Sequence, residues 1–187
     1  MSRRAVFLDR DGVLIRDVNL LTRTDQIEVY DCVPAALHRL KDAGWVLIVA
    51  SNQTVVARGL ATEQQVEALN FHLQSLLNHS FDGWYFCPHH PNATLPTYRQ
   101  DCECRKPRPG MLLQAARDLD IDLLASYMVG DRPSDIQAGF QAGCRTILLN
   151  TGKELAPTIE SSIRITARPD YVCPDLAAAA DIILEKH

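Results

Sequence analysis

Ala5-Val6-Phe7-Leu8-Asp9-Arg10-Asp11-Gly12 joins four apolar residues directly to two carboxylates, a guanidinium and a glycine. A short apolar run that breaks into polar residues reads as a buried strand whose carboxyl end carries polar groups. The residues that follow extend this strand into a sheet. Residues 13–32 show no sustained period and hold scattered charges, which predicts a long loop, in a compact domain more often functional than idle. Val33, Leu37 and Leu40 then fall on one helical face, with Pro34 suited to the first turn and Gly44 to the position past the end. Trp45 to Ala50 is a continuous apolar run of strand length. Strand, helix and strand in that order form the unit of a parallel sheet.

The alternation continues along the chain. Thr62-Glu63-Gln64-Gln65 has capping-box spacing, and Val66, Leu69, Leu73, Leu76 and Leu77 recur at helical intervals, predicting a helix over about 62–79. Trp84-Tyr85-Phe86 predicts a third strand, and residues 87–108, with prolines, paired histidines and cysteines but no apolar period, a structured loop. Pro109 opens a helix with Leu112, Leu113, Ala116 and Leu119 inward. Tyr127-Met128-Val129 predicts a strand ending at Gly130-Asp131, and Pro133 opens a helix closed by Gly143. Thr146 to Leu149, a strand near Tyr171-Val172 and a helix from Asp175 to about Leu184 complete the series. The sum predicts an α/β fold: a doubly wound, mostly parallel sheet of Rossmann type with helices on both faces, in one domain over 1–187.

Composition narrows the function. The chain has 187 residues, 47% hydrophobic and 22% charged, a size and balance suited to one globular domain. Nineteen Lys and Arg against 23 Asp and Glu give a net charge of −4, which supplies no basic field for nucleic acid or an anionic membrane. The longest apolar run is six residues, Trp45 to Ala50, against roughly 20 for a membrane helix. Asp9-Arg10-Asp11 stands where a signal peptide would be apolar, so the expectation is a cytoplasmic monomer acting on a small molecule. Six unevenly spaced cysteines do not form a disulfide framework in a chain this long. Cys32, Cys144 and Cys173 sit beside apolar residues and read as core.

Ligands in such sheets bind beyond the carboxyl ends of the strands. Polar groups fall there in a definite order: Asp9 and Asp11, then Ser51 and Asn52, then Arg105 and Lys106, then Asp131 with Asp135. Each group alone has a bland reading as a turn, a cap or a surface charge. Together they supply what a phosphate ester needs: a nucleophile, a proton for the departing alkoxide, a metal and donors for the phosphoryl oxygens. Asp9 can attack phosphorus; Asp11 can protonate the leaving oxygen and then deprotonate water. Asp9 and Asp131 offer hard oxygens to Mg²⁺, and the Ser51 hydroxyl and the Lys106 ammonium suit the remaining phosphoryl oxygens.

The order resembles the haloacid dehalogenase-type phosphohydrolases, through Phe7-Leu8-Asp9-Arg10-Asp11-Gly12-Val13, Ser51-Asn52-Gln53, Lys106-Pro107 and Gly130-Asp131 with Asp135. The resemblance spans residues 5 to about 152. It implies Asp9 as nucleophile, Asp11 as general acid and base, and phosphoryl stabilisation by Ser51 and Lys106. It further implies Mg²⁺ on Asp9, the Asp11 carbonyl and Asp131, with Asp135 behind them, and Asn52, Arg105 and Arg132 beside the substrate.

Cys87-Pro88-His89-His90 and Cys102-Glu103-Cys104 bring three thiols and an imidazole into one loop at about 87–106. Three Cys and one His make a structural zinc set, here Cys87, His89, Cys102 and Cys104, with His90 the competing imidazole. A Cys102–Cys104 disulfide or free thiols are the alternatives. A closed zinc site would set where Arg105 and Lys106 enter the phosphate site. Cys87-x-His89, Cys102-x-Cys104-Arg105-Lys106-Pro107 and Pro109-Gly110-Met111 resemble the D,D-heptose 1,7-bisphosphate 7-phosphatases and, more distantly, the histidinol-phosphate phosphatases. Asn150-Thr151-Gly152-Lys153 resembles the same branch. The resemblance implies a capless enzyme that removes the C7 phosphate of D-glycero-D-manno-heptose 1,7-bisphosphate in surface-sugar biosynthesis, with Arg105 recognising substrate. The chain departs from that family at Thr54-Val55-Val56 and at Asn19-Leu20-Leu21-Thr22, both where the sugar would lie. Histidinol phosphate or another small phosphomonoester is the alternative substrate. A non-catalytic zinc-stabilised interaction protein is the alternative of another class, and a receiver-like phosphoacceptor a second alternative within the enzyme class; Asp11 speaks against the latter.

Overall fold

The computed structural model describes residues 2–78, 80–151 and 166–186. Six strands, β1 (Ala5–Leu8), β2 (Val46–Asn52), β3 (Gly83–Cys87), β4 (Tyr127–Gly130), β5 (Arg145–Leu149) and β6 (Tyr171–Cys173), form one sheet in the order β3-β2-β1-β4-β5-β6. Every pairing in it is parallel. Six α-helices connect or flank the strands: α1 (Val33–Asp42), α2 (Thr54–Ala57), α3 (Glu63–Leu76), α4 (Gly110–Leu119), α5 (Pro133–Ala142) and α6 (Leu176–Glu185). Side chains alternate across a strand, so consecutive apolar residues of β1 and β2 supply two cores. Val6, Leu8, Leu47 and Val49 pack with Leu37, Leu40, Leu73 and Ile183 of α1, α3 and α6. Ala5, Phe7, Val46 and Ile48 pack on the opposite face with Met111, Leu112 and Ala115 of α4.

The caps follow the sequence. Thr62 Oγ1 accepts from the Gln65 amide at 3.1 Å and the Gln65 side chain accepts from the Thr62 amide at 2.8 Å, the reciprocal arrangement its spacing predicts. Helix α5 begins at Pro133 and ends against Gly143, whose φ is 87°. None of the helices among the described residues is long and apolar enough to cross a membrane.

Residues 13–32 form the long irregular segment expected, with one 3₁₀ turn at Thr24–Gln26, and it is well packed: Val13, Leu14, Ile15 and Leu21 are buried, and Ile15 bridges to both Asp11 and Val29. Three expectations need correction. The inward face of α4 carries Met111, Leu112 and Ala115, whereas Leu113 is half-buried. Leu76 is exposed while Leu77, just past the end of α3, is buried, and His79 lies outside the described residues. Helix α2 was not expected, because Thr54, Val55 and Val56 are poor helix formers. Burial of Val55 and Val56 against Ala61 and Val66 holds it.

Candidate active site

Strand register aligns the site. Leu8 lies opposite Val49 on one side and Val129 on the other. One residue further on, that register sets Asp9 beside Ala50 and Gly130, each followed directly by a site residue, Ser51 and Asp131, and the Asp9 amide donates to the Val129 carbonyl at 3.0 Å. Two glycines make room for the carboxylates. Gly12 turns the chain at φ 86°, and a β-carbon there would stand 2.1 Å from Asp131 Oδ2; one on Gly130 would stand 2.2 Å from the Asp135 β-carbon.

Asp9, Asp131 and Asp135 are all buried, and each brings an oxygen within 4.8 Å of the others. The Lys106 ammonium sits among them, 3.0 Å from Asp9 Oδ1 and 2.6 Å from Asp135 Oδ1, and donates to the Ala50 carbonyl at 2.7 Å. Burial alone would lower the Lys106 pKa, but Asp135 and Asp9 outweigh it and raise it. One ammonium does not balance three carboxylates. Burial, then the charges of Asp135 and Asp9, push Asp131 up to about 8, and burial pushes Asp135 up to about 6. Asp131 Oδ1 is buried and accepts no hydrogen bond among the described residues. Hard oxygens, excess negative charge and an unsatisfied acceptor fit a small divalent cation on Asp9 and Asp131.

Asp11 lines the same pocket as Asp9, half-buried, with Arg10 Nη2 at 2.9 Å from its Oδ2. Arg10 is itself buried and reaches Asn70 Oδ1 of α3 at 3.0 Å and Gln53 Oε1 at 2.9 Å. Gln53 Nε2 donates to Ser51 Oγ at 2.8 Å.

Cys87 at the end of β3 and His89, Cys102 and Cys104 in the loop after it converge, each with one ligand atom within 4.8 Å of the others. Sulfur separations of 3.1–3.4 Å exclude a disulfide among them, Cys102–Cys104 included. His89 Nδ1 lies 3.5 Å from Cys104 Sγ, whereas His90 turns away to line the pocket above Asp9 and takes the Asn92 amide on its Nδ1. Three thiols and an imidazole in this arrangement can hold a tetrahedral metal ion.

A family model described as HAD-hydrolase-like matches residues 103–179. The D-glycero-β-D-manno-heptose-1,7-bisphosphate 7-phosphatase of Escherichia coli strain K12 is 44% identical over 162 residues, 84% of this chain and 85% of that protein. The enzyme of the same name from Yersinia pestis is 43% identical over 92% of this chain and 91% of its own length. The chain belongs to the D-glycero-β-D-manno-heptose-1,7-bisphosphate 7-phosphatase family. A crystal structure of D,D-heptose 1,7-bisphosphate phosphatase from B. bronchiseptica, complexed with magnesium and phosphate, superposes with a TM-score of 0.81 at 34% identity, covering 98% of this chain and 99% of that one.

Within this heptose-bisphosphate phosphatase family member, three expected substrate residues are already engaged. Asn52 spends both ends of its amide on the main chain of Lys106, at 3.0 and 3.1 Å, across a residue whose bond to Pro107 is cis. Arg105 is buried, not a surface charge, and its Nη1 donates to the His89 carbonyl at 3.0 Å and to Thr54 Oγ1 at 3.4 Å. Arg132 pairs with Asp17 at 3.0 Å. All three line the pocket above Asp9 with Asn19, Leu20 and Val55, so both segments that depart from the family pattern reach it. Gly152 and Lys153 of the last quoted run lie outside the described residues. Sequence reasoning missed Arg10, Gln53, Asn70 and Asp17. A charged residue between two site carboxylates was the available signal for Arg10; the others depend on contacts that only the fold creates.

Proposed function

We propose that this chain is a Mg²⁺-dependent phosphatase that removes the C7 phosphate of D-glycero-D-manno-heptose 1,7-bisphosphate through an aspartyl phosphate on Asp9. One observation carries the reading: Asp9 is buried at a strand end, held by Lys106, beside the carboxylate of Asp131, whose Oδ1 lacks a hydrogen-bond partner among the described residues. The family names supply the substrate.

Asp9 attacks phosphorus, the bond from phosphorus to the C7 oxygen breaks, and Asp11 gives that oxygen a proton. Asp11 then takes a proton from the water that attacks the aspartyl phosphate, freeing Asp9 and inorganic phosphate. Ser51 and Lys106 hold the phosphoryl oxygens through both steps. Asp9, Asp131 and the Asp11 carbonyl would hold Mg²⁺, which when bound would supply the positive charge that the carboxylates and the phosphoryl group both require. Asp135 stays behind, accepting from the Arg132 amide at 3.0 Å and anchoring Lys106. Arg105 faces the phosphate that does not react, and Arg132 and Asn52 border the sugar. Zn²⁺ on Cys87, His89, Cys102 and Cys104 is structural, since four protein ligands leave no position for substrate. The enzyme is read as a single-domain cytoplasmic monomer without a nucleic-acid or membrane partner, serving heptose-nucleotide and surface-polysaccharide synthesis.

Phosphate release from both anomers of the heptose bisphosphate, beside histidinol phosphate, with and without Mg²⁺, tests this reading. Turnover of a heptose bisphosphate that requires Mg²⁺ and disappears in a folded Asp9→Asn protein is the expected result. Preference for histidinol phosphate would overturn the substrate, and wild-type turnover by Asp9→Asn would overturn the nucleophile. No turnover of any phosphomonoester by folded, Mg²⁺-loaded protein would leave the interaction-protein reading instead.

A further inference from the structure

The phosphoryl mechanism uses Asp11 and Ser51 but leaves unexplained the buried cation between them. Arg10 borders the pocket but is 1% exposed, so its guanidinium is turned mainly to the protein rather than to the space a substrate would fill. It nevertheless makes a set of directed contacts. Nη1 donates to Asn70 Oδ1 on α3 at 3.0 Å, and Nη2 donates to Gln53 Oε1 at 2.9 Å and to the two Asp11 oxygens at 2.9 and 3.2 Å. Burying a guanidinium is costly without such partners, and they come from three separate parts of the chain.

The contacts also settle which way Gln53 faces. Its carbonyl end accepts from Arg10, so its NH₂ end faces Ser51 Oγ at 2.8 Å and Asp11 Oδ2 at 3.4 Å, both acceptors. Gln53 is 2% exposed and has no room to exchange these roles with solvent. Because Ser51 Oγ accepts from Gln53, the Ser51 hydroxyl proton is left to point elsewhere. The pocket beside Asp9 is where a phosphoryl oxygen would receive it.

We infer that Arg10 and Gln53 are positioning residues: anchored on Asn70, they fix the Asp11 carboxylate beside the nucleophile and turn the Ser51 hydroxyl proton toward the phosphoryl group. The inference rests on the phosphatase reading above. It assigns neither residue a contact with the reacting atoms. Acid catalysis is sensitive to displacement of the acid by about an ångström, so loss of the clasp falls most heavily on substrates that need their leaving oxygen protonated.

The test follows leaving-group release in the first turnover of Mg²⁺-loaded enzyme, comparing the heptose bisphosphate, an alkyl ester, with p-nitrophenyl phosphate, whose leaving group needs no proton. Arg10→Lys keeps the charge but not the fork, and Asn70→Ala removes the far anchor from a helix outside the reacting groups. Each should slow the alkyl ester about 10–100-fold, with a loss on the aryl ester at least about tenfold smaller. Gln53→Glu keeps the shape and the Arg10 contact but offers Ser51 an acceptor in place of a donor, so inorganic phosphate should inhibit it less strongly. Equal losses on both esters, tracking a fall in Tm, would reduce the clasp to a fold element and overturn the inference. Unchanged phosphate inhibition in folded Gln53→Glu would overturn its Ser51 half. A wild-type protein inactive on both esters would instead remove the phosphatase reading itself.

Discussion

The Asp131 carboxylate occupies the space that a β-carbon on Gly12 would need, 2.1 Å from its Oδ2. Gly12 also has φ 86°, a conformation that costs an L-residue about 1–2 kcal/mol. Gly12→Ala should therefore destabilise the fold by about that amount or more and push Asp131 away from Asp9. Mg²⁺ titration is the informative measurement: affinity should weaken by about tenfold or more. Wild-type Mg²⁺ affinity in the variant would show that Asp131 is not placed by this contact.

The raised carboxylates predict a pH dependence with a definite sign. Asp131 near 8 and Asp135 near 6 stand above their ordinary value of 3.8, so in the Mg²⁺-free protein Asp135 up to about pH 6 and Asp131 up to about pH 8 hold protons that the unfolded chain has released above about pH 4. Stability from these groups is complete below about pH 4 and is lost as pH rises through about 6 and then about 8. Mg²⁺ competes with those protons, so its stabilising effect should grow with pH. Melting curves from pH 6 to 8.5, with protein dialysed free of Mg²⁺ but not chelated so that the cysteine site keeps its metal, measure this. A Mg²⁺ increment in Tm that is flat or falls with pH would contradict it.

Purified protein should carry one tightly held zinc ion per chain, separate from exchangeable Mg²⁺. Cys104→Ser should bring zinc content well below one and lower Tm, because metal binding and folding of such a loop are coupled. Activity should fall too, since Arg105 and Lys106 follow the substituted residue directly. Elemental analysis finding no zinc in wild-type protein prepared without chelators would count against the site.

Arg105 serves two masters in this geometry, the His89 carbonyl and the pocket. Arg105→Ala should lower kcat/KM for the heptose bisphosphate about tenfold more than for a small monophosphate, the scale of one hydrogen bond between charged groups. Equal losses would assign Arg105 to docking the cysteine loop alone.

Much of this was legible in the sequence, for physical reasons that differ by residue. Asp9, Ser51 and Asp131 announce themselves because a polar group ending an apolar run sits at the carboxyl edge of a strand, and parallel strands present that edge on one side. Cys87, His89, Cys102 and Cys104 are legible because their residue types already specify a partner. Arg10 and Gln53 are not, since their meaning lies in Asn70, which α3 brings up from far along the chain. The inward face of α4 was misread by one position, a shift that a helix with apolar residues at 111, 112, 113, 115 and 116 permits. Strand order was not legible at all: local patterns distinguish strand from helix but do not say that β4 rather than β3 lies beside β1.

That neighbour relation has a consequence for how such an enzyme changes over time. Asp9 and Asp131 stand one residue past β1 and β4, and Ser51 lies in β2, three adjacent strands in fixed register, so their separations are inherited from backbone hydrogen bonds between strands. The walls of the pocket, by contrast, are drawn from residues 17–21, 54–58, and His90 and Arg105 of the cysteine loop, none of which sets that register. Diversification can rewrite the walls while the chemical step keeps its ruler, and a family built this way is expected to vary first in what it admits and last in what it does.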